Sequence, residues 1–231
     1  MSRSLLAALV AALTAIVPAA ARAQDGPTLT FDKPCYAEGD PMAYSGAGFT
    51  PGGEVDFLFT SLSSSRAGSF DTKADAAGAI AGTIDAPDET MFLDDDERSA
   101  MLGGAATDKT RADQGAPPDQ QFAAALFRLT RWDVEVSRPN GAPPRARKPM
   151  RVEAYGFTRA IGKTLYVQYR KHGKVLKAVK LGRLGGDCGD RNKTLRRGLP
   201  RGLRPGRYTL MFTTSPRGGD GERVSFTQRL R

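Results

Sequence analysis

Short stretches in which apolar and polar residues alternate recur along most of the chain. Val55, Phe57 and Phe59 are spaced two apart, and residues 165–169 repeat the pattern as Leu-Tyr-Val-Gln-Tyr. Because successive side chains of a strand point to opposite faces, this period predicts half-buried strands. Beyond residue 23, no long stretch shows the i, i+3, i+4, i+7 apolar spacing of a helix. The pattern therefore predicts an all-β protein.

Glycine and proline mark the boundaries of the predicted strands. In the first half we predict strands at residues 29–32, 42–46, 54–58, 79–84, 100–106 and 122–129. In the second half we predict them at residues 132–137, 150–155, 164–170, 175–181, 193–198, 208–213 and 224–230. Two polar stretches, 85–97 and 109–121, are predicted loops, and Lys171-His172-Gly173-Lys174 is a predicted hairpin turn. Seven short strands in about 100 residues are typical of an immunoglobulin-like β-sandwich.

An internal repeat connects the two halves. Pro41-Met42, followed after five residues by Gly48-Phe49-Thr50, recurs as Pro149-Met150 followed by Gly156-Phe157-Thr158. Pro41 and Pro149 are 108 residues apart, which is the size of one sandwich domain. An alternating strand follows shortly after each copy, with Val55 and Leu165 as its first apolar residues. The repeat predicts two tandem domains that arose by duplication.

The first copy of this turn carries a family resemblance. Residues 45–55, SGAGFTPGGEV, resemble the Gly-x-Gly-Phe-x-Pro-Gly-x-x-Val turn of bacterial immunoglobulin-like domains, including the IPT/TIG type. The second copy departs from it, because Arg159-Ala160-Ile161 stands where Pro-Gly would be. Residues 163–183 and Cys188-Gly189 resemble uncharacterised secreted proteins of high-GC Gram-positive bacteria. The resemblance implies an immunoglobulin-like fold and carries no catalytic residue to this chain.

The N-terminus has the three parts of an export signal. Arg3 precedes an apolar run over residues 5–17, Pro18 breaks it, and Ala21-Arg22-Ala23 supplies small residues at the cleavage site. We predict a signal peptide over residues 1–23, a secreted and cell-wall-associated protein, and no transmembrane segment after cleavage. An uncleaved membrane anchor is the alternative, although the run is shorter than the roughly 20 residues of a bilayer span.

The two halves of the exported chain carry opposite charge. Residues 24–130 contain 18 acidic and 7 basic residues, a net charge of −11, whereas residues 131–231 contain 7 acidic and 25 basic residues, a net charge of +18. This asymmetry predicts a domain boundary between residues 130 and 131. We therefore expect an acidic immunoglobulin-like domain over residues 24–130 and a basic one over residues 131–231.

The basic half is the strongest indication of a ligand. Arginine and lysine suit phosphate and carboxylate groups, so an anionic cell-wall polymer or an acidic polysaccharide is the candidate partner. Nucleic acid is the weaker candidate, since aromatic residues are few and the chain is exported. The basic half balancing the acidic half, without binding anything, is an equal alternative. The candidate contact residues are Arg147, Lys148, Arg151, Arg170, Lys171, Lys174, Lys177, Lys180, Arg196 and Arg197.

Cys35 and Cys188, one in each half, are the two cysteines of the chain. Export favours an interdomain disulfide between them, but intermolecular bridges and free thiols stay open. Such a bridge would close a loop of about 150 residues and fix the angle between the domains.

Other candidate chemistry is weak. His172 is the one histidine and lies at the predicted hairpin tip, which disfavours a triad or a zinc site. The acidic run of residues 94–97 lacks the spacing of a calcium loop and is interpreted as a solvated loop. We predict no catalytic, cofactor-binding or metal-binding residue.

Three functions follow from this pattern, and the oligomeric state stays open among them. The first is a secreted, non-enzymatic binding or structural module of the cell envelope, retained by basic contacts to anionic wall polymers. The second is an envelope hydrolase with an unrecognised carboxylate site. The third is a self-assembling surface protein whose oppositely charged domains dock head to tail between chains.

Overall fold

The computed structural model describes residues 26–217 and 222–231, and the predicted signal peptide lies outside them. The described chain is all-β and contains two β-sandwiches in tandem. The first contains β1 Thr28–Phe31, β2 Cys35–Ala37, β3 Pro41–Ala47, β4 Glu54–Ser61, β5 Ala67–Lys73, β6 Ile80–Asp85, β7 Ser99–Asp108 and β8 Phe122–Thr130. The second contains β9 Asp133–Ser137, β10 Met150–Tyr155, β11 Thr164–Lys171, β12 Lys174–Arg183, β13 Arg191–Leu195, β14 Gly206–Thr213 and β15 Arg223–Leu230.

The strand order is the same in both sandwiches. In the first, β1-β3-β6 faces β8-β7-β4-β5, and in the second, β9-β10-β13 faces β15-β14-β11-β12. The first sandwich adds β2, which pairs in parallel with the edge of β8, whereas all other pairs are antiparallel. Two packed antiparallel sheets with this crossover order are the immunoglobulin-like arrangement. The predicted fold class is confirmed.

Alternation along the strands builds both cores. On β4, Val55, Phe57 and Phe59 are buried, and the equivalent residues of β11, Leu165 and Val167, are fully buried too. The first core is rich in aromatic rings, with Phe57 stacked on Phe70 at 4.5 Å between ring centroids. Burial of such side chains is the main favourable term in folding.

The repeated turn occupies the same place in both sandwiches, between β3 and β4 in the first and between β10 and β11 in the second. Phe49 and Phe157 are both buried, and the preceding Gly48 and Gly156 have φ of +85° and +75°. A Cβ on Gly156 would lie 2.2 Å from the carbonyl oxygen of Arg131, so the chain passes too close for any side chain. Thr50 and Thr158 follow in each copy.

Two strands, three short α-helices and the 3₁₀ turn Thr158–Ala160 were not expected from the sequence. β2 has three buried residues and no alternation, and β5 is an exposed edge strand in which Phe70 is the one large apolar residue. The two predicted loops contain helices α1 Glu89–Phe92, α2 Lys109–Asp113 and α3 Pro118–Gln121. Asp88 and Asp108 accept hydrogen bonds at the first turns of α1 and α2, which is the usual cap of a helix start.

The predicted hairpin is present between β11 and β12. Lys171 pairs with Lys174, and His172 and Gly173 have φ of +48° and +77°. Positive φ at both central residues is the geometry of a type I′ turn.

Candidate functional site

The junction between the two sandwiches is covalent. Cys35 at the start of β2 and Cys188 in the loop before β13 form a disulfide, with 5.3 Å between their Cα atoms. The interdomain bridge that the sequence favoured is therefore present, and neither cysteine is free. It joins the edge of the five-stranded sheet of the first sandwich to the facing end of the second.

A buried carboxylate reinforces this junction. Asp40 accepts hydrogen bonds from the backbone N–H of Ala37, 2.9 Å away, and, across the junction, from the Thr158 hydroxyl and the Arg159 guanidinium. Because Asp40 is 1% exposed, leaving its oxygens without donors would be costly. The Asp40 carboxylate therefore acts as a structural acceptor that holds the sandwiches together.

A second cross-junction contact centres on Arg98. Its guanidinium donates to Glu135 at 2.7 Å and to Glu153 at 3.3 Å, and it lies 5.2 Å from the centroid of the Tyr155 ring. The hydrogen bond to Glu135 raises the pKa of Arg98. Burial alone would raise the pKa of Glu135, but hydrogen bonds from Tyr155 and Arg98 outweigh it and lower that pKa.

The opposite end of the second sandwich is the candidate site, and we call it the distal pole. It consists of residues 138–149 between β9 and β10, the hairpin 171–174, residues 196–205 between β13 and β14, and residues 228–231. Backbone bonds tie these segments together: the Ala146 N–H donates to the Arg231 carbonyl at 2.8 Å, and the Leu199 N–H donates to the Ala146 carbonyl at 3.0 Å. The distal pole is therefore an organised surface.

The distal pole contains basic side chains and no acidic ones. Within the described residues of the second half, the carboxylates all lie on β9 and β10, in the loop before β13, or directly before β15. They are Asp133, Glu135, Glu153, Asp187, Asp190 and Glu222. Residues 154–186 and 191–217 contain none. The basic residues of the distal pole accordingly make no ion pair among the described residues, and their charge is uncompensated locally.

Arginines line three depressions at the distal pole. One, of about 320 Å³, is lined by Arg138, Arg145, Arg229 and Arg231, and we call it the four-arginine pocket. Two others, of about 250 and 390 Å³, share Arg197 and Arg201. Guanidinium groups that converge on a concave surface are suited to oxyanions.

One atom of the four-arginine pocket lacks a partner. The Nε of Arg138 is buried and has no hydrogen-bond acceptor among the described residues. An unsatisfied buried donor costs free energy, so this N–H is a site for an acceptor from outside the described residues, such as a water molecule or an anion.

The outer face of the sheet β12-β11-β14-β15 extends this basic surface. Residues directly opposite each other in a sheet share a face. The register therefore places Arg170, Arg207, Arg223 and Arg229 on the outer face with Lys180, and threonine, serine and glutamine lie between them together with Tyr166, Ala178 and Met211. Arg229 belongs both to this face and to the four-arginine pocket.

The structure divides the predicted contact residues into groups. Six lie at the distal pole: Arg147, Lys148, Lys171, Lys174, Arg196 and Arg197. Arg170 and Lys180 lie on the adjoining outer face, and Lys177 is exposed on the edge strand β12. Arg151 lies on the other sheet, where Glu153 accepts from it at 2.8 Å.

Sequence reasoning missed several residues of the site. Arg138, Arg145, Arg201, Arg229 and Arg231 were absent from the predicted set. Arg138, Arg229 and Arg231 lie far from its basic clusters in the chain, so the sequence did not show that they meet. The long stretches without any acidic residue were the signal that could have pointed to them. Asp40 and Arg98 carried no signal at all, since each looked like an ordinary surface residue.

The weaker candidates stay outside this surface or at its edge. His172 is exposed at the hairpin tip. In the acidic run, Asp94 pairs with Arg66 at 2.6 Å, and the carbonyls of Asp94 and Asp95 accept from Arg131. Among the described residues, no group of three or more side chains is placed to hold a metal ion. That part of the chain also has no helix with the length and hydropathy needed to cross a bilayer.

The chain is only distantly similar to known proteins. No family profile matches the chain, and no curated sequence is similar to it. Among solved structures, a tetra-tandem repeat from the extending region of a large adhesion protein is similar at 14% identity, over 89% of this chain and 49% of that one, with a TM-score of 0.30. The FN1–FN3 domains of chicken CNTN1 give 11% identity over 88% and 67%, with a TM-score of 0.29.

A red sea bream transglutaminase gives 10% identity, over 89% of this chain and 31% of that one, with a TM-score of 0.28. The chain spans about half the length of the adhesion-protein structure. At these identities and TM-scores the similarities carry no argument about function. The strand order and the disulfide of the chain itself define its class, a tandem immunoglobulin-like β-sandwich protein.

Proposed function

We propose that this chain is a secreted, non-enzymatic binding module of the cell envelope and that its distal pole holds an anionic polymer. One observation carries the proposal: the distal pole contains arginine-lined depressions and no carboxylate side chain. A surface of this kind has no internal partner to give up when a polyanion binds.

The arrangement favours a repeating anion over a single small one. Two of the depressions share Arg197 and Arg201, so neighbouring anionic groups of a linear polymer can each meet a guanidinium there. Binding would then release condensed counterions and weaken steeply with salt. No aromatic side chain lines the four-arginine pocket or the depression lined by Arg147, and Tyr169, which lines the third, is fully buried. The depressions therefore offer no exposed ring for base stacking, which disfavours single-stranded nucleic acid.

The test compares binding of the purified chain to poly(glycerol phosphate) and to polygalacturonate by titration calorimetry at several salt concentrations. The variant R138Q/R145Q/R229Q should weaken binding by about ten- to a hundredfold and make the salt dependence shallower. K163Q/R183Q/R217Q is the matched control, because it removes the same charge away from the distal pole. Equal losses in the two variants would show that net charge alone attracts the polymer and would contradict the proposal.

A specific observation also favours head-to-tail self-assembly as a second candidate. The far end of the first sandwich carries carboxylates that would complement the distal pole of another copy. They are Glu54, Asp56, Asp71, Asp75, Asp113 and Asp119. Self-assembly of this kind would give open-ended oligomers that dissociate in salt. If the purified chain forms such oligomers without added polymer, and R138Q/R145Q/R229Q does not, this candidate is favoured. The hydrolase hypothesis gains no support from the buried Asp40 carboxylate, because three hydrogen-bond donors of the chain already occupy its oxygens.

A further inference from the structure

The largest of the three depressions at the distal pole reaches into the core of the second sandwich, and the proposed function uses only its arginines. It has a volume of about 390 Å³ and lies where the edge strand β12 of one sheet is next to the edge strand β13 of the other. Val179 of β12 and Leu195 of β13 line it, and we call it the seam pocket. Its volume is within the range of about 300–1,000 Å³ that small-molecule sites occupy.

The inner part of the seam pocket is apolar. Tyr169 and Leu199 are at most 5% exposed, and the Tyr169 hydroxyl already donates to the Gly198 carbonyl at 2.9 Å. Val179 and Leu195 are partly buried and pack against the core of the second sandwich. This apolar surface therefore lies below the protein surface, where a single chain can reach it and a flat bilayer cannot.

The internal repeat explains why this space is open. In the first sandwich the same edge lies between β5 and β6, where Phe70 is opposite Phe57 and the two rings stack at 4.5 Å. At the equivalent position of the second sandwich, the register places Val179 opposite Val167. Two valines fill much less volume than two phenylalanines, so the second sandwich leaves space that the first one fills.

The seam is bridged toward the junction and open toward the distal pole. On the junction side, the Arg191 guanidinium crosses from β13 and donates its Nε–H to the Leu181 carbonyl of β12 at 3.1 Å. On the other side, the loop after β13 contributes Arg196, Arg197 and Arg201, which are exposed and line the seam pocket. A ligand that enters from the distal pole therefore passes three guanidinium groups.

The edge strands add further positive charge. Lys177 and Lys193 are exposed and lie on the inner faces of β12 and β13, opposite Tyr169 and Val152. An inward-pointing charge protects a sheet edge from pairing with another chain. Edge protection does not account for three arginines at the end of an apolar depression whose lining contains no carboxylate.

We infer that the seam pocket binds a single-chain anionic amphiphile, an alkyl or acyl chain that ends in a phosphate or a carboxylate. The chain lies between Val179 and Leu195, where its burial is favourable. The three arginines of the entrance hold the oxyanion, because guanidinium groups match phosphate and carboxylate with paired hydrogen bonds. This ligand does not depend on the anionic polymer, since the seam pocket shares no lining residue with the four-arginine pocket.

The first test is titration calorimetry of the purified chain with hexyl, octyl and decyl phosphate, each below its micelle concentration. We expect the affinity to rise about three- to fourfold for each methylene that enters the pocket, and decyl phosphate to bind with a negative heat-capacity change. Decanoate should bind too, whereas decyltrimethylammonium should not, because the entrance is basic. An affinity that does not change with chain length, or equal binding of the cationic amphiphile, would overturn the inference.

The second test fills the pocket. Val179→Phe introduces the residue type that the first sandwich has at this position, and it should weaken decyl phosphate binding by at least about tenfold. Val175→Phe is the matched control, because it makes the same change on the same strand but opposite Arg170 on the outer face. Equal effects of the two variants would show that the chain does not enter between the sheets.

The third test removes the charge at the entrance and decides the matter if Val179→Phe does not fold. R196Q/R197Q/R201Q should weaken decyl phosphate binding by at least about tenfold. R138Q/R145Q/R229Q, which removes the same charge elsewhere on the distal pole, should bind it normally. Equal binding by these two variants would contradict the placement of the oxyanion.

Polymer binding is measured beside each of these titrations. Folded Val179→Phe should still bind poly(glycerol phosphate), and R138Q/R145Q/R229Q should still bind decyl phosphate. If the parent chain binds the polymer but no alkyl phosphate, the amphiphile site is wrong and the proposed function stands. If it binds decyl phosphate but no polymer, the reverse holds.

Discussion

At the scale of single residues, the repeated turn depends on one glycine in each copy. Gly156 has φ of +75°, and its missing Cβ would lie 2.2 Å from a main-chain oxygen, whereas at Gly48 the nearest atom is 3.3 Å away. The second copy is therefore the less tolerant of the two. Gly162 has φ of +80° with nothing within 4 Å of its missing Cβ. A substitution at Gly162 therefore measures the free-energy cost of the positive φ alone, without a steric clash.

We expect Gly162→Ala to lower the free energy of unfolding by about 1 kcal/mol, the cost of a left-handed conformation for alanine. Gly156→Ala should cost at least about twice as much, because the new Cβ also displaces main-chain atoms. Urea denaturation followed by circular dichroism measures both values. Equal losses would show that the close approach at Gly156 is relieved without cost.

Buried tyrosines give the chain an alkaline limit. Burial raises the pKa of Tyr36, Tyr155 and Tyr169, and hydrogen bonds to Asp32 and Glu135 raise the first two further. A pKa raised in the folded state means that stability is fully present below the unfolded pKa of about 10 and is lost as the pH rises above it.

The free energy of unfolding should therefore fall above pH 10, by up to about 1.4 kcal/mol per pH unit for each tyrosine. Denaturant midpoints at pH 8, 10 and 11 measure this fall. Tyr169→Phe should make the slope shallower, although it leaves the Gly198 carbonyl without its donor at neutral pH. An unchanged slope in that variant would contradict the assignment to Tyr169.

At the scale of elements, β2 is the piece that joins the two sandwiches. It has three residues, it pairs in parallel with β8, and its first residue carries the disulfide to the loop between β12 and β13. So short a strand contributes little by itself, and the bridge over a sequence separation of 153 residues supplies the constraint.

Removing both thiols, as C35A/C188A, should lower the free energy of unfolding by about 5 kcal/mol in the chain-entropy description of a loop this long. Chemical denaturation of the variant beside the oxidised parent gives the value. Reduction of the parent should produce a similar loss. A loss below about 1 kcal/mol would mean that Asp40 and Arg98 hold the junction without the bridge.

At the scale of the whole molecule, charge is distributed along the chain from an acidic far end to a basic distal pole. The interior of the junction is compensated, since Arg98 meets Glu135 and Glu153 there. At the distal pole, by contrast, the basic side chains have no carboxylate partner among the described residues, so like charges repel one another there and destabilise the folded state.

A small oxyanion that binds the distal pole should therefore stabilise the fold. Pyrophosphate at about 1–10 mM should raise the thermal midpoint, because a ligand of the folded state stabilises it according to its concentration over its dissociation constant. Sodium chloride of equal ionic strength controls for screening. In R138Q/R145Q/R229Q the thermal midpoint should be the same in pyrophosphate and in sodium chloride. A higher midpoint in pyrophosphate for this variant would contradict binding at the four-arginine pocket.

The fold was largely predictable from the sequence because its signals are local. Alternation predicted β3, β4 and β10 closely, and the hairpin followed from Gly173. β2 and β5 were missed because neither repeats an apolar residue: β2 is held by the disulfide and by pairing with β8, and β5 is held by pairing with β4. The helical turns were missed because four or five residues are too few to show a helical period.

The sequence by itself determined the all-β class, the repeated turn, the opposed charges of the halves and the pair of cysteines, since each is a property of composition or of short spacing. The tertiary structure alone decided that Cys35 meets Cys188, that Asp40 receives donors from the second sandwich, and which arginines share a pocket. Arg138 and Arg229 are 91 residues apart in the chain, and nothing between them encodes their meeting. Such contacts depend on how two sheets stack, and stacking is a long-range outcome of burying both cores at once.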